Sequence, residues 1–158
     1  LRSERRSPPL HHTTGEQGMQ PVDQEYVHAP EIGQHGDCQR AVIASLLELP
    51  ISEVPHFLQE AKGDPVGFFE GLQSFCRSRG LAYLTVPAKS GAAFFGADDG
   101  VYHEISGPSP RGNGITHAVV GRDGQVVFDP HPSRAGLLGD FTQWEFSYLV
   151  NICNKDTK

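Results

Sequence analysis

Cysteine is scarce in this chain: there are three among 158 residues, Cys38, Cys76 and Cys153, an odd number with no CxxC spacing. That argues against a disulfide scaffold and against a zinc ribbon, and it fits a reducing compartment. Basic residues are also few, with 13 Lys and Arg against 19 Asp and Glu and a net charge of −6. Nucleic acids and anionic membranes are held mainly by clustered Lys and Arg, so neither is an expected partner. No apolar run is long enough to span a membrane, and no apolar segment near the start resembles a signal peptide. The expected setting is the cytoplasm, with a secreted effector left open, and the expected partner is a protein, a peptide or a small molecule.

The length suits one domain. Residues 1–18 carry Arg2, Arg5, Arg6, Pro8, Pro9, His11 and His12 with two leucines as their large aliphatics, too little apolar surface to offset ordering entropy. They read as a flexible tail or tag-like extension, and the folded domain is expected over 19–158, beginning at the single methionine, Met19.

What is present is a change of hydrophobic period halfway along. Asp37 is placed to cap a helix over 38–49 whose apolar run, Ala41 to Leu47, is not confined to one side, as in a buried central helix. Ser52 is placed to cap a second helix ending near Lys62 and Gly63. Asp64 and Pro65 open a third, which Gly80 should stop. Beyond it the pattern alternates, predicting strands over 81–86, 101–105, 116–121, 125–129 and 144–152, with Gly-, Ala-, Ser- and Pro-rich loops over 88–100 and 106–115. Helices followed by strands mean an α+β fold with a largely antiparallel sheet. Most of the later aromatics, including Phe68, Phe69, Phe75, Phe128, Phe141 and Trp144, are expected in the core, with Phe94 and Phe95 as exceptions in a loop.

Cys38 follows Gly-Gln-His-Gly-Asp (33–37), so the thiol stands where a glycine-containing turn becomes a helix. A helix N-terminus favours thiolate over thiol, which predicts a depressed pKa and a nucleophilic role. A nucleophilic cysteine needs a base and a group to orient that base. His117 and Asp129 lie twelve residues apart on two strands joined by Arg122-Asp123-Gly124. A three-residue turn would set His117 opposite Asp129 on one face, whereas a two-residue Asp-Gly turn would send Asp129 to the other. Gly124 suits the first. His131 could join Cys38 and His117 around a metal, but no pair has a tight ligand spacing, and no metal or other cofactor is expected.

Residues 36–57, Gly-Asp-Cys-Gln-Arg-Ala-Val-Ile-Ala-Ser-Leu-Leu-Glu-Leu-Pro-Ile-Ser-Glu-Val-Pro-His-Phe, with His117-Ala-Val-Val and Asp129-Pro-His-Pro, resemble a group of small bacterial and phage proteins of papain-like type. More distantly they are similar to the double-glycine leader peptidases of bacteriocin exporters. The resemblance implies a papain-like fold, with a central Cys-bearing helix packed on an antiparallel sheet, and a cysteine hydrolase acting on a protein or peptide amide. Cys38 would be nucleophile, His117 general base and then acid, and Asp129 the orienting carboxylate. The oxyanion glutamine of papain and the leader peptidases lies six residues before the nucleophile, where this chain has Ile32; the backbone N–H of Cys38, with Gln34, takes its place as the expected donor pair. His35, Gly36 and Asp37 ahead of the thiol, and Arg111 and Asn113 in the loop entering the histidine strand, would line the substrate cleft. Peptidase, isopeptidase and glutamine deamidase chemistry all suit such a site. A papain-like acyltransferase or transglutaminase, or an inactive binding or inhibitor module, is the alternative.

Overall fold

A computed structural model describes residues 18–94, 99–112 and 114–152. The predicted tail up to residue 17, and Phe95, Asn113 and Cys153, lie outside the described residues, as does the side chain of Phe94. The fold is α+β. Helices α1 (Cys38–Leu47), α2 (Phe57–Glu60) and α3 (Pro65–Ser78) precede strand β1 (Leu81–Pro87); a short helix α4 (Ala88–Gly91) leads to β2 (Tyr102–Pro108), β3 (Thr116–Arg122), β4 (Gln125–Phe128) and β5 (Glu145–Asn151). The strands form one antiparallel sheet in the order β1-β5-β2-β3-β4.

Helix α1 has no solvent face over Ala41, Val42, Ile43, Ala44 and Ser45, each fully buried. Val42 packs on Ala118 and Val120 of β3, while Ile43 and Ala44 join Val54, Phe57, Leu72, Cys76 and Tyr83 in a core beneath α2 and α3. At roughly 1.5–3 kcal/mol for each large aliphatic side chain fully buried, these contacts outweigh the weak helix propensity of Val and Ile in α1. The helix ends at Leu47, two residues before the predicted end, because Glu48 turns left-handed (φ 53°) and returns its N–H to the carbonyls of Ala44 and Ser45.

Two expected caps do not form. The Asp37 carboxylate does not cap α1; it accepts from the Tyr26 N–H at 2.8 Å and from Arg40 at 3.2 Å, holding the chain before the helix against its first turn. Ser52 falls inside a 3-10 turn, Ile51–Glu53, and α2 is capped instead by the His56 ring, which accepts from the Gln59 N–H. Asp64 and Pro65 do open α3 as read, with Asp64 Oδ2 accepting from the Gly67 N–H at 2.8 Å.

One sheet face, carrying Tyr83, Thr85, Glu104, Ser106, Ala118, Glu145 and Ser147, turns toward the helices. The other buries Ile105, Val119 and Phe146 under Ala88, Leu137 and Trp144. Phe69 and Phe141, expected in the core, are substantially exposed. The predicted loops shrink: residues 88–94 are helical, and β2 runs on to Pro108, leaving a short excursion closed by the Ser109 N–H on the Ile115 carbonyl.

The β3–β4 hairpin corrects the expected turn. Arg122 pairs with Gln125, so Asp123 and Gly124 alone make the turn, with φ of 50° and 80° as a type I′ turn requires. That register would part His117 from Asp129, but the ladder shifts between Val120 and Gly121, so that Val120 meets Phe128 and Val127 is left over. This bulge restores the parity that the three-residue turn would have supplied. Asp129, just past β4, therefore lies diagonally across from His117 on the same face. Gly124→Ala should cost about 1 kcal/mol, since a Cβ is strained at positive φ; a shifted urea midpoint at constant slope is the measurement.

Candidate active site

Cys38 is the first residue of α1 and opens onto a cavity of about 690 Å³ between the helices and the sheet, which His117, Gly36 and Arg111 also line. Its approach is fixed by an extended strap before the helix. Gln20 and Val22 donate to Ser45, Tyr26 and Asp37 exchange backbone and side-chain hydrogen bonds, and Gln24 N–H reaches the Pro130 carbonyl at 3.1 Å. Arg40 then ties Glu25 to Asp37 and donates to the Val54 carbonyl.

His117 Nε2 meets Asp129 Oδ1 at 2.7 Å, and both side chains are buried. Asp129 also accepts from the His131 N–H at 2.8 Å and the Gly136 N–H at 2.7 Å, while its carbonyl takes a hydrogen bond from Arg134. With Nε2–H given to the carboxylate, the imidazole keeps its Nδ1 lone pair for a reacting proton. By strand alternation His117 points away from the Ala118 face, and it reaches the cavity at the open end of β3. Burial raises Asp129, yet hydrogen bonds from His117, His131 and Gly136 outweigh it and hold the carboxyl below its usual range. Burial lowers His117, and Arg111 and His131 add to the effect against the pull of Asp129, so the resting imidazole is neutral at pH 7.

The thiol does not follow its predicted ionisation. Burial pushes Cys38 up to about 11, and the charges of Glu104 and Asp37 push the same way; the Ala118 and Gln39 N–H groups oppose this without reversing it. Among the described residues no hydrogen bond joins the thiol to His117. At rest the cavity presents a neutral thiol and a neutral imidazole rather than a thiolate–imidazolium pair.

The remaining predicted residues divide. Gln34 does not reach the cavity: its amide donates to the Val27 carbonyl at 2.7 Å. His35 also stays outside, its N–H on Gln59 and its carbonyl facing the His56 ring. Asp37 borders the cavity but is engaged by Tyr26 and Arg40. Arg111 lies on the rim with Nη1 on Ser133 at 3.1 Å. The His117 and His131 rings stand edge to face, 6.1 Å apart, but among the described residues no three His, Cys, Asp or Glu groups assemble as a metal site. Two cavity residues escaped the sequence reading. Gln24 enters from the strap, fourteen residues before the thiol, and Glu104 sits in a strand where nothing local marks it. Its carboxyl is buried, accepts from Tyr83 Oη at 3.0 Å, and is pushed by burial up to about 7.

Among the described residues no single helix is long and apolar enough to cross a membrane. Comparison with protein-family models, with curated proteins and with solved structures finds no match.

Two outcomes follow from these ionisations. Iodoacetamide alkylation of Cys38, mapped by peptide mass, should climb about tenfold per pH unit well beyond the ordinary thiol value of about 8.5. A plateau near neutrality would contradict the burial of the thiol. Glu104 binds its proton more tightly folded than unfolded, so its contribution to stability falls as pH rises from about 4.5 to 7 and stays low above. Relative to wild type, Glu104→Gln should therefore gain stability between pH 5 and 8, by up to ~3 kcal/mol at about 1.4 kcal/mol per pH unit; denaturant melts at both pH values measure the difference.

Proposed function

We propose that this protein is a cysteine-dependent amide hydrolase of papain-like architecture. The observation that carries the reading is the buried His117–Asp129 pair at 2.7 Å on the cavity that Cys38 opens onto from the start of a buried helix. Support also comes from the order of the parts: a thiol on an N-terminal helix, then a histidine and a carboxylate on an antiparallel sheet.

In this mechanism His117 Nδ1 takes the Cys38 proton as sulfur attacks the substrate carbonyl, forming the C–S bond. Proton transfer and attack proceed together, because the thiolate is not pre-formed. Asp129 fixes the imidazole tautomer and stabilises the imidazolium that develops. The Cys38 N–H, one of the unpaired donors of the first helical turn, is a donor for the oxyanion. His117 then gives its proton to the departing amine, and water hydrolyses the thioester by the reverse route. The products are a carboxylic acid and an amine.

A binding module without turnover is the second reading, favoured by the half-buried, protonated thiol. Turnover of a fluorogenic peptide library separates the two. Cys38→Ala should abolish it, and His117→Ala and Asp129→Asn should lower kcat by roughly 10²–10⁴-fold. Because the neutral imidazole is the base and its pKa is lowered, kcat should hold as pH falls to about 6.5 and decline below that. Turnover that survives Cys38→Ala would remove the hydrolase reading.

A further inference from the structure

The inner end of the cavity has more hydrogen-bond acceptors than donors. Glu104, 2 % exposed, offers two oxygens with about four lone-pair sites. Two donors reach them, Tyr83 Oη at 3.0 Å and Gln39 Nε2 at 3.4 Å, neither of them charged. Gln39 cannot turn its amide over without setting Oε1 against the carboxylate, and in its present orientation Oε1 is a buried atom with no hydrogen-bond partner. Thr85 and Ser147 hydroxyls share one hydrogen bond at 2.8 Å, which leaves a single hydroxyl hydrogen between them for another acceptor. Glu145, diagonally beside Glu104 across the β2–β5 ladder, adds a second carboxylate to the same face.

Among the described residues nothing cationic meets this demand. Of the two arginines on the cavity, Arg40 is engaged with Glu25, Asp37 and the Val54 carbonyl, and Arg111 is held by Ser133 beside His117. A buried carboxylate without a cation is costly, which makes the site a strong acceptor for one. The same cavity is lined by the phenylalanines Phe57, Phe68 and Phe69, the last half exposed. Aromatic faces attract cations and also pack against the alkyl stem that carries one.

We propose that Glu104, with Gln39, Glu145 and these phenylalanines, forms a specificity pocket beside Cys38 for a substrate side chain of lysine or arginine type. Its ammonium or guanidinium supplies the missing donors, three or five of them, while its methylenes lie along the phenylalanines. Glu104 acts on Cys38 through space. A bound cation offsets that charge, so occupancy of the pocket also makes the neighbouring thiol easier to ionise. The inference rests on the hydrolase reading for what the bound side chain belongs to, and not for the binding itself.

The test is a calorimetric titration of the full chain at about pH 8.5 with Nα-acetyl-arginine amide and its neutral counterpart, Nα-acetyl-norleucine amide. The cation should bind at least about tenfold more tightly, and Glu104→Gln should bring the two within about twofold. Equal binding by wild type, or a preference that survives Glu104→Gln, overturns the proposal. If Glu104→Gln fails to fold, wild type alone decides: the preference should shrink on going to about pH 5.5, where Glu104 is protonated. Tyr83, Glu145, Asp37, Cys38, His117, His131, His28, His56, Arg40 and Arg111 also line the cavity, so the folded Glu104→Gln protein, where available, marks the pH dependence that belongs to Glu104. A preference unchanged with pH overturns the proposal as well. A protein that binds the cation but cleaves no amide keeps the pocket and loses the hydrolase; one that cleaves amides without cation preference keeps the hydrolase and loses the pocket.

Discussion

Complete burial of the middle of α1 is the constraint from which the rest follows. A helix without a solvent face must be contacted on every side, and its neighbours are accordingly specified: Val42 against Ala118 and Val120 of β3, Ile43 and Ala44 against α3 and β1, Ser45 against the strap. Once those contacts are made, the first residue of the helix has one position. Cys38 is thereby set beside the open end of β3, where the Ala118 and Gln39 N–H groups reach its sulfur. The orienting interactions for His117 are arranged separately, around a carboxylate that collects one imidazole and two backbone N–H donors.

The same burial that locates the thiol opposes its ionisation. A helix N-terminus and two nearby N–H groups favour thiolate, but desolvation and two carboxylates prevail, and the neutral His117 leaves no fixed positive charge to reverse the balance. In the proposed hydrolase, reactivity then depends on what enters the cavity. Substrate brings the carbonyl that accepts the developing charge and, in the proposed pocket, a cation near Glu104.

Much of this arrangement was legible in the sequence where local chemistry decided it. Asp64 and Pro65 marked the start of α3, alternation marked the five strands, and the twelve-residue interval marked His117 and Asp129 as neighbours. The turn between them was left open between two residues and three. Asp123-Gly124 does form the two-residue turn, and the compensating bulge at Val127 arises from cross-strand packing that no local residue announces. Asp37 and Gln34 failed for a related reason: each was assigned a role by its distance from Cys38, and each is held by a backbone group of the strap, Tyr26 N–H and the Val27 carbonyl. Glu104 and Gln24 were invisible because a carboxylate or an amide in an ordinary segment acquires meaning only when distant elements bury it.

The strand order carries a consequence for how the chain assembles. Strand β5, the last described, lies between β1 and β2 and is the only partner of β1 among the described residues. Until it arrives, β1 and the β2–β3–β4 meander face one another across a gap with open edges, although α1 already packs on β3. Residues up to 144 can collapse but cannot close this sheet, because the strand that fills the gap between β1 and β2 is made after both.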